Sequence, residues 1–174
     1  MSEAKKIPLG AFKQYDEVNT FLIQFVPDSQ LLRRKALVID GPSWAGKTEF
    51  AKSLAPSGTM LDVNCSNSVD EPPLMEYQVS IHNGIVFDEM AAGVMVKQKK
   101  LFQAGAFMVA MGTSRTNCHS YNVLMWRKMM IVCSNKWMRQ VNELCADDQA
   151  WIHRNTVYLR VTEHMFFDIP GKKK

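Results

Sequence analysis

The sequence contains no run of about 18 apolar residues, so it offers no helix that could cross a bilayer and no membrane partner is expected. Its opening residues, MSEAKKIPLG, lack the apolar core of a secretory signal. Cysteine is sparse and scattered: Cys65, Cys118, Cys133 and Cys145 form no C-x-x-C pair. That pattern reads as reduced thiols in the nucleus or cytoplasm rather than a secreted disulfide framework. The four histidines have no metal-ligand spacing to these cysteines, which argues against a zinc centre. No internal repeat or low-complexity tract interrupts the chain. The most informative absence is of negative charge. Residues 91–139 hold eight Lys or Arg and no Asp or Glu, whereas residues 40–90 hold eight acidic residues and two basic ones. A basic stretch of that length points to a surface that meets a polyanion.

What is present is a chain of 174 residues, 47% hydrophobic and 22% charged, a composition that suits one globular core. Residues 1–32 read as a polar arm followed by a short amphipathic helix over 11–26, ended by Pro27. Continuous apolar runs at 36–39, 85–87 and 129–133 have the character of strands buried on both faces. Further strands are expected at 59–64 and 156–161. Helices are expected at 48–54, around 74–79, over the basic segment 94–104, at 137–144 and around 149–153. The runs 106–111 and 121–126 flank the polar GTSRTNCHS and read as a β-hairpin with a long tip. Alternation of short buried strands with helices implies a three-layer α/β sandwich with a mostly parallel sheet. The body of the domain spans 33–165, and residues 166–174 form a basic tail.

Three motifs carry chemistry. The first is Gly41-Pro42-Ser43-Trp44-Ala45-Gly46-Lys47-Thr48, a G-x-x-x-x-G-K-T loop between a predicted strand and a predicted helix. Backbone N–H groups at a helix N-terminus suit phosphate, because donors and helix dipole point at the same anion. Lys47 would reach the β- and γ-phosphates of ATP, and Thr48 would ligate Mg²⁺. Trp44 reads as a cap on this loop more than as a stacking surface. The second motif is Ile85-Val86-Phe87-Asp88-Glu89. An apolar strand ending in Asp88 sets a carboxylate for Mg²⁺ beside the loop, and Glu89 could polarise an attacking water. The third is Met130–Asn135, an apolar strand ending in an amide. If this strand lies between the other two, Asn135 faces the γ-phosphate. A GTPase is disfavoured, because Met138 stands where an N-K-x-D motif needs Asp. A small-molecule kinase would need an arginine-rich lid that the C-terminal half does not show.

The order and spacing of these motifs resemble the superfamily 3 helicase domain of replication initiator proteins from small circular single-stranded DNA viruses and related plasmids. GPSWAGKT is similar to their Walker A motif, IVFDEM to Walker B and MMIVCSN to motif C, over roughly residues 33–161. The resemblance implies an AAA+-like P-loop NTPase sandwich with an inserted basic β-hairpin. It also implies an ATP hydrolase that works as a homo-oligomeric, hexameric ring and translocates on single-stranded DNA, with RNA a possible substrate too. Lys97, Lys99, Lys100, Arg115, Arg127 and Lys128 would then carry the DNA contacts. Arg154 would act across the subunit interface, with Arg139 and Arg160 as rivals. Asp88-Glu89 replaces the pair of aspartates common at this position. The family's nicking endonuclease motif is missing, and the residues before 33 are few for a full oligomerisation domain, so they read as its remnant. A P-loop phosphotransferase and a non-catalytic, ATP-dependent nucleic-acid-binding relic are the competing readings.

Overall fold

The apolar runs at 36–39 and 85–87 are strands in the computed structural model, and every residue in them is fully buried. The structure describes residues 12–112 and 120–167. Helix α1 (Asp16–Leu22) precedes strand β1 (Ala36–Asp40), helix α2 (Lys47–Ser53), strand β2 (Met60–Asn64) and strand β3 (Gly84–Asp88). Helices α3 (Ala92–Lys97) and α4 (Lys99–Phe102) lead to strands β4 (Met108–Met111) and β5 (Tyr121–Leu124). Strand β6 (Met129–Ser134), helices α5 (Trp137–Asn142) and α6 (Ala146–Asn155) and strand β7 (Thr156–Arg160) follow.

The main sheet has the order β2-β3-β6-β1-β7, and all four of its pairings are parallel. Alternation along each strand divides the core. Leu37, Ile39, Val86 and Ile131 face α1 and α2, where Phe21 and Phe50 pack. Ala36, Val38, Ile85, Phe87 and Val132 face α3 to α6, where Met95, Phe102, Trp137 and Ile152 pack. Each fully buried aliphatic side chain contributes about 1.5–3 kcal/mol, which is why these runs tolerate no polar residue. The three-layer sandwich is therefore as expected.

The expected hairpin is present. β4 and β5 pair antiparallel as a separate two-stranded sheet, from Met108↔Leu124 to Met111↔Tyr121. Its inner face, with Val109, Met111 and Val123, joins the core on the α3–α6 side. Two hydroxyls tie it to the loop ahead of β3: Leu74 N–H donates to Tyr121 at 2.9 Å, and Tyr77 donates to the Leu124 carbonyl at 2.9 Å.

Several local expectations need correction. The basic helix over 94–104 is two helices, broken at Gln98, whose φ of −105° and ψ of 34° leave the helical region. The segment 74–79 is not a helix; Leu74 is drawn into the core and the chain turns around it. The first helix begins only at Asp16 and tightens to a 3₁₀ turn over Ile23–Phe25. Phe12 instead forms an antiparallel bridge with Phe166. Phe21 of α1 is fully buried against the sheet. Phe21→Ala is expected to lower stability by about 3–5 kcal/mol, read as a shift of the urea midpoint. A loss below about 1 kcal/mol would detach α1 from this core.

Candidate nucleotide-binding site

A parallel sheet collects the C-terminal ends of its strands on one edge, and a strand order that reverses there opens a crevice. β6 lies between β1 and β3, with Asp40 level with Ser134 and Asp88 level with Cys133. The condition on which the reading of Asn135 rested is met. The three motifs leave the sheet side by side.

The loop after β1 is closely fitted. The Gly41 N–H donates to the Ser134 carbonyl at 3.0 Å, and a Cβ on Gly41 would collide with the Val161 carbonyl. Ser43–Ala45 form a 3₁₀ turn, and Gly46 takes a left-handed φ of 84° to start α2. Lys47 is 5% exposed, and its Nζ donates to three oxygens: the Gly41 carbonyl at 2.7 Å, the Pro42 carbonyl at 2.8 Å and Asn135 Oδ1 at 2.8 Å. Burial lowers the pKa of this ammonium, against the opposing pull of Cys133, Asp88, Asp40 and Glu89. A desolvated cation held by neutral oxygens is a group that an entering phosphate would stabilise. Thr48 Oγ1 donates to Asp88 Oδ1 at 3.1 Å, which sets a hydroxyl and a carboxylate together as oxygen donors suited to Mg²⁺.

Glu89 departs from extended geometry at the end of β3. Its φ is 56°, a left-handed conformation costly for a side chain of this kind, and its N–H donates to the Cys133 carbonyl at 2.9 Å. The kink turns Glu89 into a cavity of about 250 Å³ that Lys47, Thr48, Asp88 and Asn135 also line. A second cavity of about 350 Å³ shares Glu89 and Asn135 and continues past Cys65, Ser66, Ser68 and Lys136. Cys65 is buried there, and burial pushes its thiol up to about 12, so it stays protonated at neutral pH.

The sequence matches no known protein family and no curated protein. Among solved structures the chain is similar to the S. cerevisiae Hsp104–ADP complex, with a TM-score of 0.51 and 15% identity. The match covers 86% of this chain and 32% of that one, so the present chain spans about a third of the length of its neighbour. The fold is that of an AAA+-type P-loop NTPase. At that identity the likeness concerns the fold alone.

Within this P-loop fold, two features escaped the sequence reading. One is Asp40, only 8% exposed at the end of β1. Its carboxylate accepts from the Trp137 N–H at 3.1 Å, the Met138 N–H at 3.3 Å and the Tyr158 hydroxyl at 2.9 Å. It thereby holds the start of α5, and with it the Asn135–Lys136 turn, against β1. An apolar strand ending in Asp was visible in ALVID, the same pattern that singled out Asp88. The other is the segment after β7. The Met165 N–H donates to the Ala45 carbonyl at 2.9 Å, and the Lys13 N–H donates to the Met165 carbonyl at 2.8 Å. His164 stacks edgewise on the half-exposed Trp44, with ring centroids 4.8 Å apart. Trp44 thus packs on its own chain, in line with a capping role.

The residues expected at DNA are dispersed. The described strands of the hairpin carry no Lys or Arg, and the cations stand on either side of them. Lys97 Nζ pairs with Asp70 at 2.7 Å, and Lys99 pairs with Asp148 at 2.5 Å. Lys100 lies over the Phe107 ring, and Lys128 donates to the Val79 and His82 carbonyls at 2.8 and 2.7 Å. Arg127 is exposed, and Arg115 lies outside the described residues. Arg154 is exposed at the end of α6, on the sheet edge opposite its own P-loop. Arg139 pairs with Glu143 at 3.5 Å, and Arg160 ends β7.

At Gly46 two constraints coincide, since a Cβ would come within 2.9 Å of the Phe166 ring and the φ of 84° disfavours any side chain. Gly46→Ala is expected to cost about 1–2 kcal/mol of stability from the backbone alone, measured by thermal melting. Adding Phe166→Ala should not restore that part. Full recovery in the double variant would assign the whole cost to the ring.

Proposed function

We propose that this chain is an ATP-hydrolysing motor domain acting on single-stranded nucleic acid, of the superfamily 3 helicase kind found in replication initiators. The observation that carries the reading is the hydrogen bond between Lys47 Nζ and Asn135 Oδ1, which joins the P-loop to the strand between the two Walker motifs. An amide at that point can donate to a γ-phosphate oxygen and accept from the water in line with it. Lys47 would exchange its carbonyl partners for phosphate oxygens. Glu89, which lines the same cavity, would take the proton of the attacking water. Thr48 and Asp88 would hold Mg²⁺, which supplies charge neutralisation across the phosphates.

The oligomeric reading gives Arg154 a role. It stands at the sheet edge away from its own P-loop, and in a ring it would be the cation delivered in trans to a neighbour's transferring phosphoryl group. Residues around the hairpin would supply nucleic-acid contact, although Lys97, Lys99 and Lys128 must first leave intramolecular partners to do so.

A phosphotransferase draws support from one observation. The second cavity, with its serine hydroxyls, adjoins the phosphate site through Glu89 and Asn135 and could admit a small acceptor. Steady-state assays separate the two. The motor reading expects Mg²⁺-dependent ATP hydrolysis that rises with single-stranded DNA and vanishes in Lys47→Ala. Glu89→Gln should retain ATP binding while turnover falls by about 10²–10⁴-fold. ATP consumption that tracks a small acceptor and ignores DNA would establish the phosphotransferase instead.

A further inference from the structure

The edge of the sheet remote from the P-loop has a character of its own. β1 is entered through Arg33, Arg34 and Lys35, and its neighbour β6 through Trp126, Arg127 and Lys128. Both strands run in the same direction, so the three cations of one entry and the two of the other emerge side by side.

The side chains bear out this proximity. The Arg34 guanidinium lies 5.3 Å from the centre of the Trp126 ring, and that of Arg127 lies 5.7 Å from it. One indole therefore gathers two like charges, each worth about 0.5–1 kcal/mol at an exposed ring. Arg34 is 4% exposed and, among the described residues, donates to the Gln24 and Leu31 carbonyls, at 2.9 and 3.2 Å. Burial first, and then the Arg127 charge, lowers its pKa. Among the described residues, no carboxylate comes within ion-pairing distance of any of these five cations. Arg127 also holds a left-handed φ of 59°, a strained conformation that projects a cation from a tight turn. A cluster of like charges, partly buried and without a counter-charge of its own, is a standing electrostatic cost that an anion would relieve.

We infer that this edge is a second contact surface for the phosphate backbone of a single nucleic-acid strand. Arg33, Lys35 and Arg127 would be the exposed contacts, and Arg34 and Lys128 the fixed charge behind them. The inference rests on the motor reading above and adds a surface at the opposite end of the domain from the nucleotide. The cations are confined to the entries of two adjacent strands, roughly 5 Å apart, a narrow footprint that fits a thread of phosphates better than a broad lipid face. Contacts of this kind carry no sequence preference and weaken steeply with salt.

The test is fluorescence anisotropy with a labelled oligothymidylate strand, on the full chain, across a salt series. The variant is Arg33→Ala/Lys35→Ala/Arg127→Gly, in which glycine suits the left-handed position. We expect affinity to fall about tenfold or more at low salt and the salt slope to decrease by roughly 2, about 0.7 for each of the three lost phosphate contacts on a single strand. If that variant melts early, Arg33→Glu alone at an exposed position should reproduce the loss. Unchanged binding in these variants, with loss in Lys97→Ala/Lys100→Ala, would overturn the inference and leave the motor reading in place. No binding by the wild-type chain, with or without Mg²⁺ and a non-hydrolysable ATP analogue, would overturn both. Retention of the oligonucleotide alongside loss of binding to phosphatidylserine vesicles would reassign the edge to a membrane surface and overturn the inference.

Discussion

The insertion of β6 between β1 and β3 is the constraint on which the rest of this molecule depends. Parallel pairing on both sides leaves β6 no freedom of register, because a slip of one residue would turn Met130 and Val132 from one core to the other. With register fixed, Asn135 emerges level with the P-loop and hydrogen-bonds Lys47. Asp40 then anchors the following helix through two backbone N–H groups and the Tyr158 hydroxyl. The site is thus assembled from three strand ends rather than from one loop. Each contributing side chain is oriented by backbone pairing that the cores on both faces enforce.

The same parallel geometry sorts charge. Acidic residues Asp40, Asp88 and Glu89 collect at the C-terminal edge around the single buried Lys47, and basic residues collect where β1 and β6 begin. At the first edge one buried ammonium stands among three carboxylates, so the cation could meet phosphate and the carboxylates a divalent metal. At the second, cations gather around Trp126 without matching carboxylates. A domain polarised in this way could hold a nucleotide at one end and a polyanion at the other, with the packed sheet as the rigid connection between them.

Much of this was legible before the structure. Lys47, Thr48, Asp88 and Asn135 could be read because buried parallel strands are uninterrupted apolar runs, and the residue that ends each run marks the functional edge. The hairpin was legible from two apolar runs around a polar tip. What could not be read were the contacts made between distant segments. The break at Gln98 and the non-helical turn around Leu74 follow from packing, with Leu74 held by a tyrosine 47 residues away. The count of basic residues over 91–139 identified a positive stretch but could not tell which lysines are engaged at home. Lys97 and Lys99 find carboxylates 27 and 49 residues away. The bracing of the P-loop by Met165 and Phe166 has no motif at all, since the only local signal is an ordinary aromatic pair.

If Asn135 links the P-loop to hydrolysis, its amide should matter for turnover and not for holding nucleotide. The direct measurement is Asn135→Ala, with ATP affinity determined by titration and single-turnover hydrolysis determined in parallel. The account predicts affinity within a few-fold of wild type and hydrolysis slower by about a hundredfold or more, the scale for removing one positioned polar group from a reacting centre. Hydrolysis at the wild-type rate would contradict it.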